Sequence, residues 1–289
     1  VTYTYEGREQ PSLRDCSFTV EPGELILLTG ESGCGKTTMI KLINGLLQHN
    51  GGGTLKGMVT VNGREVSQVP LWELAQTVGS VFQNPKSQFF NVDTTSEVLF
   101  GLESRGASHQ EMEQALSSAA RVCGVRPLLE RNIFALSGGE KQRIACASAY
   151  AMGPEIFVLD EPSSNLDGEG IRQLREILKQ LKAAGKTILV AEHRLWYAAD
   201  LADRVFYLRE GWLERVYSGA EFLSLPEERR RAMGLRSLTE VPLPDPQLAP
   251  GETGDGLLVR SLRASYDRTA VWEQVSFSAP RGQITAITG

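Results

Sequence analysis

Eight residues, GESGCGKT at positions 30–37, have the types and spacing of a phosphate-binding loop, GxxxxGK[ST]. Glycines let the backbone curl so that successive N–H groups point inward at phosphate oxygens. A helix following the loop adds its N-terminal donors and the positive end of its dipole. Lys36 would set a cation on the β- and γ-phosphates, and the Thr37 hydroxyl can ligate Mg²⁺. A second half-site is IFVLDE, residues 156–161, a hydrophobic run ending in two acids. Asp160 can hold Mg²⁺ through water, and Glu161 can polarise a water in line with the γ-phosphate. Many buried strands end in acids, so this pair gains meaning only beside the loop. A third string is LSGGEKQR, residues 136–143. Ser137 and Glu140 have capping-box spacing, while Gly138 and Gly139 leave the helix start bare enough for an anion to approach its N–H groups.

These groups need elements to hold them. The apolar run at 25–28 reads as a strand feeding the glycine loop. Residues 37–47 then show helical spacing through Ile40, Ile43, Leu46 and Leu47. Residues 58–61 with Asn62-Gly63 read as a strand entering a hairpin turn. Ser108 and Glu111 open a helix that stops near Gly124. The runs at 156–159 and 187–191 are expected as strands buried on both faces. Between them Ile171, Leu174, Ile177, Leu178 and Leu181 line one helix face, ended by Gly185. Strands alternating with helices imply an α/β domain with a largely parallel sheet.

The bulk properties narrow the class. The chain has 289 residues, 41% of them hydrophobic. A net charge of -5 gives no support to nucleic-acid binding. No apolar run is long enough to span a bilayer, and the start carries no signal-peptide pattern. Cys16, Cys34, Cys123 and Cys146 make no CxxC pair and read as reduced core residues. The run EERRR at 227–231 reads as a solvated helix face.

Residues 241–256, VPLPDPQLAPGETGDG, read as an extended acidic, Pro-rich linker. After it comes an echo. SFSAPRGQITAITG, 276–289, aligns without a gap on SFTVEPGELILLTG, 17–30, so that Gly289 matches Gly30 and Gly282 matches Gly23. Tyr266 corresponds to Tyr5. The expected organisation is a nucleotide domain at 1–225, a linker at 226–256, and at 257–289 the first strands of a second copy, cut where its own phosphate loop would begin.

LSGGEKQR resembles, almost letter for letter, the signature of ATP-binding cassette (ABC) ATPases, and that family's other motifs follow in order. Gln83 in VFQNP resembles the Q-loop. Ser164, Asn165, Leu166 and Asp167 resemble the D-loop. His193 in LVAEH resembles the switch histidine, and Tyr5 stands where the family places an aromatic against adenine. The resemblance covers residues 1 to about 220 and resumes from 257. It implies a P-loop NTPase fold of ABC type, with a mostly parallel core sheet, an antiparallel β subdomain and a helical subdomain at about 86–150. It also implies that ATP and Mg²⁺ are bound. Tyr5, Gly30, Glu31, Ser32, Gly33, Cys34, Gly35, Lys36, Thr37 and Thr38 would hold the nucleotide, and Thr37, Gln83 and Asp160 the metal. Lys36, Gln83, Glu161 and His193 would carry hydrolysis. Ser137, Gly138, Gly139 and Glu140 would act on the nucleotide of a second cassette packed head to tail. Hydrolysis therefore needs a partner, either on the same longer chain or as a second copy. The chain alone is expected to be soluble, to bind ATP as a monomer and to hydrolyse it slowly unless two copies pair.

Residues 81–101, VFQNPKSQFFNVDTTSEVLFG, resemble the stretch after the Q-loop in ATPases of energy-coupling factor importers. That implies a peripheral protein on the cytoplasmic face of the membrane. Its partners would be a transmembrane coupling subunit and a substrate-capture subunit, and it would energise uptake of a vitamin or transition-metal ion. Phe82, Phe89 and Phe90 could serve as core or as interface. Other readings are a conventional ABC importer, a soluble tandem cassette acting on ribosomes, and a DNA-repair cassette. The acidic linker and His193 speak against the ribosomal reading. The short span between loop and signature, without cysteine pairs, speaks against the repair reading.

Overall fold

The computed structural model describes residues 1–239, 256–266, 269–282 and 284–286. Residues 240–255 of the linker expected at 226–256, and the echo's last glycine, Gly289, lie outside the described residues. The chain divides into a unit at Val1–Glu240 and a unit at Val241–Gly289. The first therefore continues past the boundary expected at 225. Leu235 is buried in its core, Met233 and Leu238 pack against that core, and the Tyr207 hydroxyl donates to the Met233 carbonyl at 3.0 Å.

In chain order, β1 (Thr2–Tyr5) leads through a loop to β2 (Leu25–Thr29), followed by α1 (Lys36–Ile43) and α2 (Leu46–Asn50). Strands β3 (Gly53–Lys56), β4 (Thr60–Val61) and β5 (Arg64–Glu65) precede α3 (Leu71–Thr77) and β6 (Val78–Val81). Helices α4 (Thr94–Ser104), α5 (His109–Val122) and α6 (Gly138–Ala151) lead to β7 (Ile156–Asp160). Then come α7 (Gly168–Ala183), β8 (Thr187–Ala191), β9 (Arg204–Arg209), β10 (Trp212–Ser218), α8 (Gly219–Leu223) and α9 (Glu227–Ala232). The second unit holds β11 (Gly256–Tyr266) and β12 (Thr269–Pro280), an antiparallel pair.

The main sheet has the order β10-β9-β2-β8-β7-β6. All its pairings are parallel except β9 with β10. Its apolar runs serve two cores at once. Leu25, Leu27, Phe157, Leu159, Ile188 and Val190 face one cluster, which α4, α5, α6 and α7 complete. Ile26, Leu28, Val158, Leu189 and Ala191 face the other, with α1 and β1. Successive strand residues point to opposite faces, so a strand covered on both sides must be apolar throughout. The β1–β3 and β4–β5 pairs are antiparallel. The Asn62-Gly63 turn joins β4 to β5, as the sequence indicates, with positive φ at both residues.

The single helix expected at 37–47 is two. Gly45 takes φ +79, and a Cβ there would meet Leu74 Cδ2 at 2.6 Å. The chain turns at that contact and restarts as α2. Apolar spacing runs through the break because Ile40, Ile43 and Leu47 all serve the same core cluster.

Register fixes where the loops emerge. Leu28 pairs with Ala191, and Ala191 pairs with Asp160. Val81 pairs with Leu159. The loops after β2, β6, β7 and β8 therefore open at one carboxyl edge, the usual ligand site of an open parallel sheet.

Candidate functional site

The glycine loop leaves β2 through a backbone that only glycine can supply. Gly30 has φ +147, and a Cβ there would lie 2.1 Å from the Leu208 carbonyl oxygen. Gly35 has φ +109 and caps α1 without a side-chain hydrogen bond, so the N–H groups opening that helix stay unblocked by a side chain. Lys36 is buried. Its Nζ donates to the carbonyls of Gly30 at 3.1 Å and Glu31 at 3.0 Å. The ammonium thus sits inside the curl of the loop, where phosphate oxygens would lie. Glu31, Ser32 and Gly33 are exposed along the rim, while Cys34 is buried with its Sγ 3.7 Å from Lys36 Nζ. Thr38 faces another way, its Oγ1 lying 3.2 Å from the Tyr5 hydroxyl. That contact places the Tyr5 ring beside the first turn of α1.

Thr37 Oγ1 donates to Asp160 Oδ1 at 2.9 Å, joining the first turn of α1 to the end of β7. Burial raises the Asp160 carboxyl above its ordinary value, partly offset by the Thr37 hydrogen bond and the Lys41 and Lys36 charges. Two hard oxygens side by side fit Mg²⁺, which takes one or two protein oxygens and fills its other positions with phosphate and water. Among the described residues there is no cluster of three or more metal-ligating acids, histidines or cysteines.

Glu161 directly follows β7 and takes φ +44, a left-handed backbone that costs a non-glycine residue on the order of 1–3 kcal/mol and gathers at functional sites. Its carboxylate is gripped from both sides. Gln83 Nε2 donates to Oε2 at 3.0 Å, and His193 Nε2 lies 3.1 Å from Oε1. Burial, reinforced by the Lys36 charge, holds the His193 pKa below its ordinary value, against the opposing pull of Glu161 and Glu192. The ring is then neutral at neutral pH, and a proton on Nε2 satisfies Glu161. Gln83, expected among the metal ligands, places its amide on Glu161.

The D-loop candidates touch the Gln83 grip. Ser164 Oγ and Asn165 Nδ2 donate to the Gln83 carbonyl at 3.4 and 3.3 Å. Leu166 is buried, and Asp167 caps α7, its Oδ1 accepting from Gly170 N at 2.7 Å. Glu192 escaped the sequence reading. It is only 2% exposed and accepts four hydrogen bonds, from Ser163 N, His193 N, Arg194 N and the Tyr197 hydroxyl. The available signal was an acid directly before the histidine with a tyrosine five residues on. Trp196 packs edge-on against Tyr197, their ring centroids 6.1 Å apart.

Ser137 and Glu140 form the expected capping box at the start of α6, with Ser137 N donating to Glu140 Oε2 at 2.8 Å. Gly138 lies against the D-loop, since a Cβ there would stand 3.1 Å from the Asn165 carbonyl oxygen. Ser137 and Gly138 are exposed. The signature is therefore tied to the D-loop and presents its bare helix start outward. Of the phenylalanines after Gln83, Phe89 packs against the core, whereas Phe90 is 75% exposed and stacks on Phe100. All four cysteines are free and buried. Burial pushes the Cys146 thiol up to about 12. No helix among the described residues is long and apolar enough to cross a membrane.

Comparison with known proteins matches residues 13–164 to the model of the ABC transporter family. A provisionally named ABC transporter ATP-binding protein of Treponema denticola is 42% identical over all of this chain and 60% of its own length. One from Methanosarcina acetivorans is 41% identical over 72% of this chain and 33% of its own. The chain thus spans less than two thirds of these curated relatives. Among solved structures, cbiO1 of Clostridium perfringens, part of the ABC transporter complex cbiONQ, superposes with a TM-score of 0.70 at 25% identity, over 80% of this chain and 91% of that one. The ATP-binding cassette MJ0796, solved as a post-hydrolysis dimer bound to ADP and Pi, gives 0.64 at 27% identity, over 75% and 96%.

Proposed function

The chain belongs to the ABC transporter family, whose cassettes bind and hydrolyse ATP, and on that premise we propose that it energises import of a small solute through an energy-coupling-factor-type transporter. The observation that carries the hydrolytic reading is the Glu161 carboxylate, held by Gln83 and His193 at the sheet edge that also bears Lys36, Thr37 and Asp160. In this reading the loop at 30–38 binds the phosphates, Lys36 shifts from loop carbonyls to phosphate oxygens, and Tyr5 supports the base. Thr37 and Asp160, with Gln83, would hold Mg²⁺, which supplies charge neutralisation on the phosphates. Glu161 orients the attacking water, and His193 fixes Glu161 and reaches toward the γ-phosphate. A loose phosphoryl transition state is stabilised mainly by positioned cations and donors. Ser137, Gly138 and Gly139 would serve the nucleotide of a second cassette, so the complete site forms between two.

The import reading rests on the FQNP segment and on the likeness to cbiO1. Its transmembrane coupling subunit would dock near Gln83 and the exposed Phe90, on the cytoplasmic face of the membrane, with a substrate-capture subunit beyond. A vitamin or transition-metal ion is the solute class proposed. The echo at 257–289 is read as the opening of a second cassette. Glu161→Gln in the full-length protein should bind ATP and hydrolyse it at least about 100-fold more slowly, and the protein should copurify with a small membrane subunit. Parent turnover in the variant would remove the role given to Glu161. Copurification with ribosomes would replace the transport reading.

A further inference from the structure

We infer that Glu192 is a positioning residue for hydrolysis: its buried carboxylate clasps the D-loop to the switch histidine. Each oxygen serves a different loop. Oε1 accepts from Ser163 N and from the Tyr197 hydroxyl, both at 3.0 Å. Oε2 accepts from His193 N at 2.7 Å and Arg194 N at 2.9 Å. All four donors are neutral N–H or O–H groups, and the site is 2% exposed. A buried carboxylate is costly unless its lone pairs are filled, and here each oxygen takes two donors. Arg194 adds a parallel tie, its Nη1 donating to the carbonyls of Leu166 at 3.0 Å and Ser163 at 3.3 Å.

These bonds close a ring. Glu161 Oε1 meets His193, whose backbone N–H meets Glu192. Glu192 meets Ser163, which directly precedes Ser164 and Asn165 on the Gln83 carbonyl. Gln83 Nε2 returns to Glu161 Oε2. Both grips on the water-orienting carboxylate therefore lead to residues 163–165, and Glu192 is the link on the histidine side. A displacement of that segment is carried to His193 through the Glu192 side chain, with the Arg194 guanidinium in parallel. The inference rests on the roles proposed for Glu161 and His193.

Glutamine at this position tests the clasp directly. An amide has one acceptor oxygen, and its NH₂ would face two donors, so one of the two loops must be released. Glu192→Gln in the full-length protein should keep its ATP affinity and lower kcat on the order of 100-fold, the scale of a misplaced catalytic group. His193→Ala should lower kcat as well, and the double variant should fall no further than His193→Ala alone, because the first change acts through the second. Additive losses in the double variant, or an unchanged kcat in Glu192→Gln, would overturn the clasp. If Glu192→Gln does not fold, Tyr197→Phe removes one donor from Oε1 and leaves the backbone bonds. It should lower kcat several-fold at unchanged affinity in the His193 background and have no effect in His193→Ala; equal losses in both backgrounds refute the inference. Glu161→Gln is the reference. Parent turnover there would show that the hydrolytic assignment is wrong, whatever Glu192 does.

Discussion

Neutral groups hold Glu161. An amide and an imidazole of lowered pKa orient its carboxylate without the quenching that a bound arginine would bring. The nearby cation, Lys36, is turned into the loop instead. Lys36→Ala should weaken ATP binding on the order of 10- to 100-fold, the worth of a charge-assisted hydrogen bond, as read by nucleotide titration. The lowered His193 pKa sets a pH dependence. The neutral, Nε2-donating ring persists down through the ordinary value of 6.5 in the free enzyme, so the acid limb of the kcat/KM profile should lie below pH 6.5. His193→Asn should remove that limb. Lys36, Thr37, Asp160, Glu161 and His193 were legible in sequence because their chemistry dictates residue type and spacing. Glu192 was not, because its role comes from burial and from a tyrosine brought back over it by the turn after β8. Neither leaves a periodic mark.

Elements deliver these side chains by ending where they do. Asp167 caps the start of helix α7 by accepting from Gly170 N, and the helix face of Ile171, Leu174, Ile177, Leu178 and Leu181 packs into the core. Asp167→Ala should cost about 1 kcal/mol, the usual loss at an N-cap. Thermal unfolding would show it as a lowered midpoint. A residue read as part of the D-loop thus also carries helix stability, and its kinetic effects need that correction. The strand runs and the α7 stripe were plain in sequence, since burial on both faces or on one face writes a pattern. The α1–α2 break was not, because both helices feed the same cluster and the apolar spacing continues across Gly45. The Asn44-Gly45 pair marked the turn, but the periodicity spoke louder.

At the scale of the whole molecule, the first unit carries each motif once, and Ser137 and Gly138 of its signature are exposed. In the proposed arrangement a second cassette completes the sites that one leaves open. Glu161→Gln, which would trap ATP, should shift this chain from monomer to dimer in size-exclusion chromatography with ATP, and Lys36→Ala should abolish the shift. The expected domain edge at 225 fell short for a physical reason. EERRR is the exposed helix it reads as, yet the chain beyond it returns Leu235 to the core. A charged run followed by sparse apolar residues looks like the start of a linker until packing is seen. One consequence concerns how such a molecule can be watched. Trp196 lies three residues beyond His193, edge-on to the ring whose hydroxyl holds Glu192. With Trp72, Trp212 and Trp272 replaced by phenylalanine, the indole becomes an intrinsic fluorophore inside the switch loop. Its emission then reports, without a label, any change in the packing of Trp196 on Tyr197 when nucleotide is added.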